Sequence, residues 1–113
     1  MPETYKEINV KTALEEQTDG KLLLDVREPG EFEAGHALGA VSIPLSELRD
    51  KISEIDVTTP INVICKSGGR SAQAAIALLQ AGFNATNVQG GSLELVAQGQ
   101  PFVCENGEEP KVI

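Results

Sequence analysis

Ile61-Asn62-Val63-Ile64-Cys65-Lys66-Ser67-Gly68-Gly69-Arg70-Ser71 is the stretch that decides the fold. Pro60 introduces a short apolar run with no polar alternation, and Gly68-Gly69 closes it, which is the pattern of a strand buried on both faces. From Ser71 the period changes. Ala72, Ala75, Ile76, Leu78 and Leu79 form one apolar stripe, and Gly82 supplies a stop, so a helix is predicted over residues 71–81. A buried strand passing through a glycine turn into an amphipathic helix is the repeating unit of an α/β sheet. Ligands bind such sheets at the carboxyl ends of their strands.

The same alternation continues outward. Leu22-Leu23-Leu24-Asp25-Val26 lies between Asp19-Gly20 and Arg27-Glu28-Pro29-Gly30 and reads as a second buried strand. Ala40-Val41-Ser42-Ile43 before Pro44 and Ala85-Thr86-Asn87-Val88 before Gly90-Gly91 read as two more. Helices are expected over residues 10–17, 31–34, 46–52 and 92–98. Right-handed crossovers then give a mostly parallel central sheet with helices on both faces, a three-layer α/β fold.

With 113 residues, 41% hydrophobic and 4% aromatic, the chain has material for one core built on Leu, Ile, Val and Ala. One domain is expected over residues 1–104, with a polar, acidic tail over 105–113 whose segment 105–109 reads as a poorly ordered terminus. The formal net charge of -8 repels phosphate backbones and anionic lipid surfaces, which argues against nucleic acid and membrane partners. No apolar run reaches the roughly 18 residues of a membrane span, and residues 1–10 carry no apolar stretch, so a cytoplasmic protein without a signal peptide is expected. A monomer is the default at this size. The only cysteines, Cys65 and Cys104, form no metal-binding pattern with the single His36, and no metal or cofactor is expected.

The turn after Cys65 carries the chemistry. Gly68 and Gly69 can take positive φ and let successive backbone N–H groups converge, while the following helix aims its free N-terminal amides at the same point. A thiol at the base of such a cup is stabilised as thiolate, and Lys66 and Arg70 add positive charge. The alternative is a small buried residue ending a core strand. A structural thiol, however, has no need of a Lys-Ser-Gly-Gly-Arg-Ser turn.

Three separated motifs occur in order. The first is Asp25-Val26-Arg27-Glu28-Pro29, then Glu31-Phe32, Gly35-His36, Gly39-Ala40-Val41 and Ile43-Pro44; the second is the Cys65 loop; the third is Val88-Gln89-Gly90-Gly91 followed by Gly99-Gln100-Pro101. Together they resemble the signatures of the rhodanese-like sulfurtransferases along nearly the whole chain. The resemblance implies that Cys65 takes sulfane sulfur from a donor such as thiosulfate or a persulfide. It then passes that sulfur to a thiol, to cyanide or to a protein acceptor. The loop Lys66, Ser67, Gly68, Gly69, Arg70 and Ser71 would hold the anion, with Arg70 helping to bind the donor. Phosphatases and arsenate reductases of the same fold use a loop one residue longer. Here four residues separate Cys65 from Arg70, which favours sulfur over phosphate.

Other residues have plainer readings. Asp25 and Arg27 follow a buried strand and suit a structural ion pair, although Arg27 is also a candidate for the pocket mouth, with Glu31 as its partner. His36 is expected to be structural, since a thiolate already formed needs no base. Cys104 reads as an incidental tail residue, with redox coupling to Cys65 the alternative. Leu95 stands where the family commonly has tryptophan, which puts the detailed pocket shape in question but not the fold. A non-catalytic interaction module is the competing function.

Overall fold

The computed structural model describes residues 4–113. Five strands form a parallel sheet in the order β1-β6-β5-β2-β4, comprising β1 (Lys6–Ile8), β2 (Leu22–Asp25), β4 (Val41–Ser42), β5 (Ile61–Ile64) and β6 (Ala85–Val88). Every neighbouring pair runs parallel, with Leu24 opposite Val63 and Val63 opposite Asn87. The strand that precedes Cys65 is therefore the central one. Alternate side chains of the sheet build two cores. Leu24, Ile61, Val63 and Cys65 pack with Leu48, Ala74, Ala75 and Leu78 on one face. Leu23, Ile64 and Val88 pack with Val10, Ala13 and Leu95 on the other. The first face is covered by α3 (Leu48–Lys51) and α4 (Gly69–Gln80), the second by α1 (Val10–Thr18) and α5 (Gly91–Ala97). The expected three layers are present.

The departures have local causes. β1 escapes sequence reading because Lys-Glu-Ile is an exposed edge strand with one partner and no apolar run. α2 (Pro29–Ala34) starts two residues before its expected first residue. Pro29 suits a first turn that needs no N–H there, and Glu31 accepts the N–H of Glu28 at 3.0 Å in a capping box. The helix expected over 46–52 is broken into 3-10 turns at Leu45–Glu47 and Ile52–Glu54 around the short α3. Two-residue strands β3 (His36–Ala37) and β7 (Phe102–Val103) pair antiparallel in a second sheet, too short to leave a periodic signal.

The C-terminal segment makes specific contacts with α2 and β3. The Lys111 N–H bonds the carbonyl of Ala34 at 2.9 Å, and Glu105 reaches the His36 ring at 2.8 Å. A Cβ on Gly35 would collide with Phe102 and with the backbone of Lys111. The absent side chain at Gly35 is what allows the last segment to lie against α2.

Candidate active site

β2, β5 and β6 end side by side, and the loop from Cys65 to Gly68 fills the carboxyl edge of β5 before α4 begins. The shape of this loop is set by where its carbonyls go. The Cys65 carbonyl accepts the Ser92 N–H at 2.8 Å, and the Lys66 carbonyl accepts the Leu93 N–H at 3.1 Å. The Gly68 carbonyl accepts the Ala72 N–H at 3.1 Å and the Asn87 amide at 3.3 Å. With these oxygens held outward, the amides are left to face the sulfur. Gly68 sits at φ 116°, a conformation that costs a residue with a side chain dearly. Gly91, at φ 58°, lies so close beneath the loop that any Cβ would strike the carbonyls of Cys65 and Lys66.

The Cys65 Sγ accepts the Gly68 N–H at 3.1 Å and lies 3.2 Å from the Ser71 hydroxyl, which is also 3.2 Å from the Gly68 carbonyl. Burial pushes the Cys65 thiol pKa up. Hydrogen bonds from the Ser71 hydroxyl and from the N–H groups of Ser71, Gly68 and Ser67 outweigh it, and the net effect lowers the pKa from the ordinary thiol value. These donors favour the charged sulfur, so the loop is organised for a thiolate. Only 1% of Cys65 is exposed.

The two arginines have different surroundings. Arg70 is held by Glu31 in a two-pronged pair, Nη1 to Oε1 at 2.6 Å and Nη2 to Oε2 at 2.9 Å. The Arg70 guanidinium, followed by the Glu28 N–H, overcomes partial burial and holds the Glu31 carboxyl down at about 2. Arg27 is fully buried and donates to both oxygens of Asp25, with Nη2 to Oδ2 at 2.7 Å. Arg27 also donates to the carbonyls of Gly35 at 2.8 Å and Glu31 at 3.3 Å. Two expectations are corrected here. Arg27 does not reach a pocket mouth, and the Glu31 carboxylate serves Arg70. Arg27 touches Glu31 only through its backbone. Lys66 is half-buried and, among the described residues, makes no salt bridge.

The model of the rhodanese-like domain family matches residues 9–98. This chain belongs to the rhodanese-like domain family. A rhodanese-related protein of Thermoplasma volcanium superposes with a TM-score of 0.80 at 38% identity, over 88% of this chain and 98% of that one. "Uncharacterized protein YqhL" of Bacillus subtilis is 40% identical over 92 residues, covering 77% of this chain and 73% of its own. The "thiosulfate sulfurtransferase GlpE" of Pseudomonas aeruginosa is 30% identical over 108 residues, covering 96% and 98% respectively.

Within this rhodanese-like domain, the remaining candidates lie away from the sulfur. The His36 ring stacks on Phe32 at 3.7 Å and bonds the Phe32 carbonyl and Glu105, all outside the Cys65 loop. Cys104 Sγ contacts the Glu33 carbonyl and Asn106, not the loop. Leu95 is completely buried among Val10, Leu23, Ile64 and Val88, filling the core position with a smaller side chain than tryptophan. Asn87 escaped sequence reading as a site residue. It is buried, and its amide bridges the loop carbonyl of Gly68 to Glu7 on β1 at 3.0 Å. The available signal was a polar residue interrupting a strand in front of Gly90-Gly91. Among the described residues, no three His, Cys, Asp or Glu side chains gather closely enough to hold a metal ion.

Proposed function

We propose that this domain is a sulfurtransferase in which Cys65 carries sulfane sulfur as a persulfide, from thiosulfate or a related donor to a thiol, cyanide or protein acceptor. The carrying observation is the Cys65 sulfur receiving N–H and hydroxyl donors while the loop carbonyls are bonded away from it. The thiolate attacks the terminal sulfur of the donor, the donor's S–S bond breaks, and sulfite leaves with the electron pair. An acceptor thiolate or cyanide then attacks the outer sulfur of the persulfide and returns Cys65 as thiolate. Each step places negative charge on sulfur at the focus of the same amides, which is the stabilisation such a loop provides without a base, metal or cofactor. Lys66, Ser67, Gly68, Gly69, Arg70 and Ser71 form this anion site. Its relative from Pseudomonas aeruginosa bears the name of this activity.

The four-residue interval between Cys65 and Arg70 suits a slim terminal sulfur better than a tetrahedral phosphate. The chemistry needs Cys65 reduced, which fits a cytoplasmic monomer. Incubation of the reduced protein with thiosulfate is expected to add one sulfur atom to Cys65 by mass spectrometry, and Cys65→Ser to abolish the adduct. If no sulfane donor leaves an adduct on reduced protein, the domain is a non-catalytic interaction module instead.

A further inference from the structure

We propose that Glu31 is a specificity-determining residue that neutralises Arg70 and thereby tunes the loop to sulfane donors of low charge, monoanionic thiosulfonates or persulfides, over the thiosulfate dianion. This rests on the sulfur-transfer reading of Cys65. Arg70 is the arginine of the loop, and both of its terminal nitrogens are directed at the two oxygens of Glu31, at 2.6 and 2.9 Å. A planar fork satisfied in this way has spent its best geometry on a carboxylate belonging to the protein.

The acceptor is itself held in place. Glu31 takes the Glu28 N–H at 3.0 Å, and its backbone carbonyl takes Nη1 of the buried Arg27. Arg70 holds the carboxyl down at about 2, so it is charged at neutral pH. Glu28 adds a second negative charge to the surroundings of Arg70. The chain as a whole carries a formal net charge of -8. With Arg70 paired, Lys66 is the one loop cation without a carboxylate among the described residues, and the sulfur itself is met by neutral donors, the loop amides and the Ser71 hydroxyl. These favour a charged terminal sulfur but give no particular advantage to a second anionic charge elsewhere on the donor.

The discriminating pair of donors is thiosulfate and methanethiosulfonate, which share a terminal sulfane sulfur and differ by one oxyanion against one methyl group. In both, the Cys65 thiolate bonds the terminal sulfur and the S–S bond breaks, releasing sulfite or methanesulfinate with the electron pair. Their leaving groups differ intrinsically, so the readout is the change in the ratio of kcat/KM, thiosulfate over methanethiosulfonate, between wild type and Glu31→Gln. Glutamine keeps one acceptor oxygen for the Glu28 N–H and Arg70 Nη1, and removes the charge together with the acceptor facing Arg70 Nη2. That ratio is expected to rise roughly three- to tenfold at low salt and to shrink as salt is added.

Alkylation of Cys65 gives a readout that needs no sulfur transfer. Iodoacetate and iodoacetamide also differ by one charge, so their rate ratio is expected to rise by a similar factor. The double variant Glu31→Gln with Arg70→Gln is expected to return both ratios toward wild type. An unchanged pair of ratios in a Glu31→Gln protein with a normal thermal melt overturns the proposal. If neither donor delivers sulfur while the alkylation ratio still rises, the selection by charge is upheld and the sulfur-transfer reading falls.

Discussion

Two arginine–carboxylate pairs contact α2, and they differ in what surrounds them. Arg27 and Asp25 are 0% and 1% exposed at their side chains, whereas Arg70 and Glu31 are 34% and 17% exposed. The Arg27 pair follows β2, and its five nitrogen contacts tie the end of that strand to the backbone of α2 and Gly35. The Arg70 pair spans from α2 to the first turn of α4, within electrostatic reach of Cys65. A buried pair of this kind fixes architecture, because neither charge tolerates the loss of its partner. A partly solvated pair can open, or be outcompeted by a ligand, at modest cost. The lesson is that the signature Asp25-Val26-Arg27 holds α2 where Glu31 can meet Arg70. The first pair thus acts on the site through the second.

The strongest way to break this contrast is Arg27→Met, which leaves Asp25 charged and buried and two carbonyls without donors. A loss of about 3–5 kcal/mol is expected in urea unfolding, and a loss below that of Arg70→Ala would reverse the assignment. The acid limb separates the pairs next. The folded Glu31 carboxyl is depressed to about 2 from its ordinary 4.5. Its contribution is therefore complete above pH 4.5 and is lost as pH falls toward 2. After discounting for solvent, this amounts to about 1–2 kcal/mol. Arg70→Ala is expected to flatten that part of the stability–pH curve and to cost about 1 kcal/mol at neutral pH. The smallest effect is on the thiol itself. Ser71→Ala is expected to raise the midpoint of Cys65 alkylation against pH with little change in unfolding, since it removes one donor of several. An unmoved midpoint would assign the thiolate to the backbone amides alone.

Much of this was legible from residue pattern. The buried runs at Leu22 and Ile61, the stripe ending at Leu79 and the punctuation by Gly68, Gly82 and Gly90 determine strands, helices and their parallel order. They do so because apolar period and glycine conformation are local properties. The turn around Cys65 was legible for the same reason: the amides that face its sulfur come from a contiguous stretch of chain. The edge strand β1 was not legible, since its identity comes from pairing with β6 and not from its own sequence. The partner of Arg70 was not legible either. Glu31 is 39 positions away and closer in sequence to Arg27, so proximity along the chain suggested the wrong pair. Asn87 and Gly91 belong to the site through contacts with the backbone of Cys65 to Gly68, and nothing in a one-dimensional pattern specifies which loop a glycine lies beneath.

The sequence by itself determined a parallel α/β sheet, the placing of Cys65 at the end of a strand, and a turn able to hold a thiolate. Only the tertiary structure decided which carboxylate meets which arginine and which amides turn the loop's carbonyls away from the sulfur. These are contacts between distant segments. Their energies depend on distance and exposure, and those are set when α2, α4 and α5 are brought together around the ends of β2, β5 and β6.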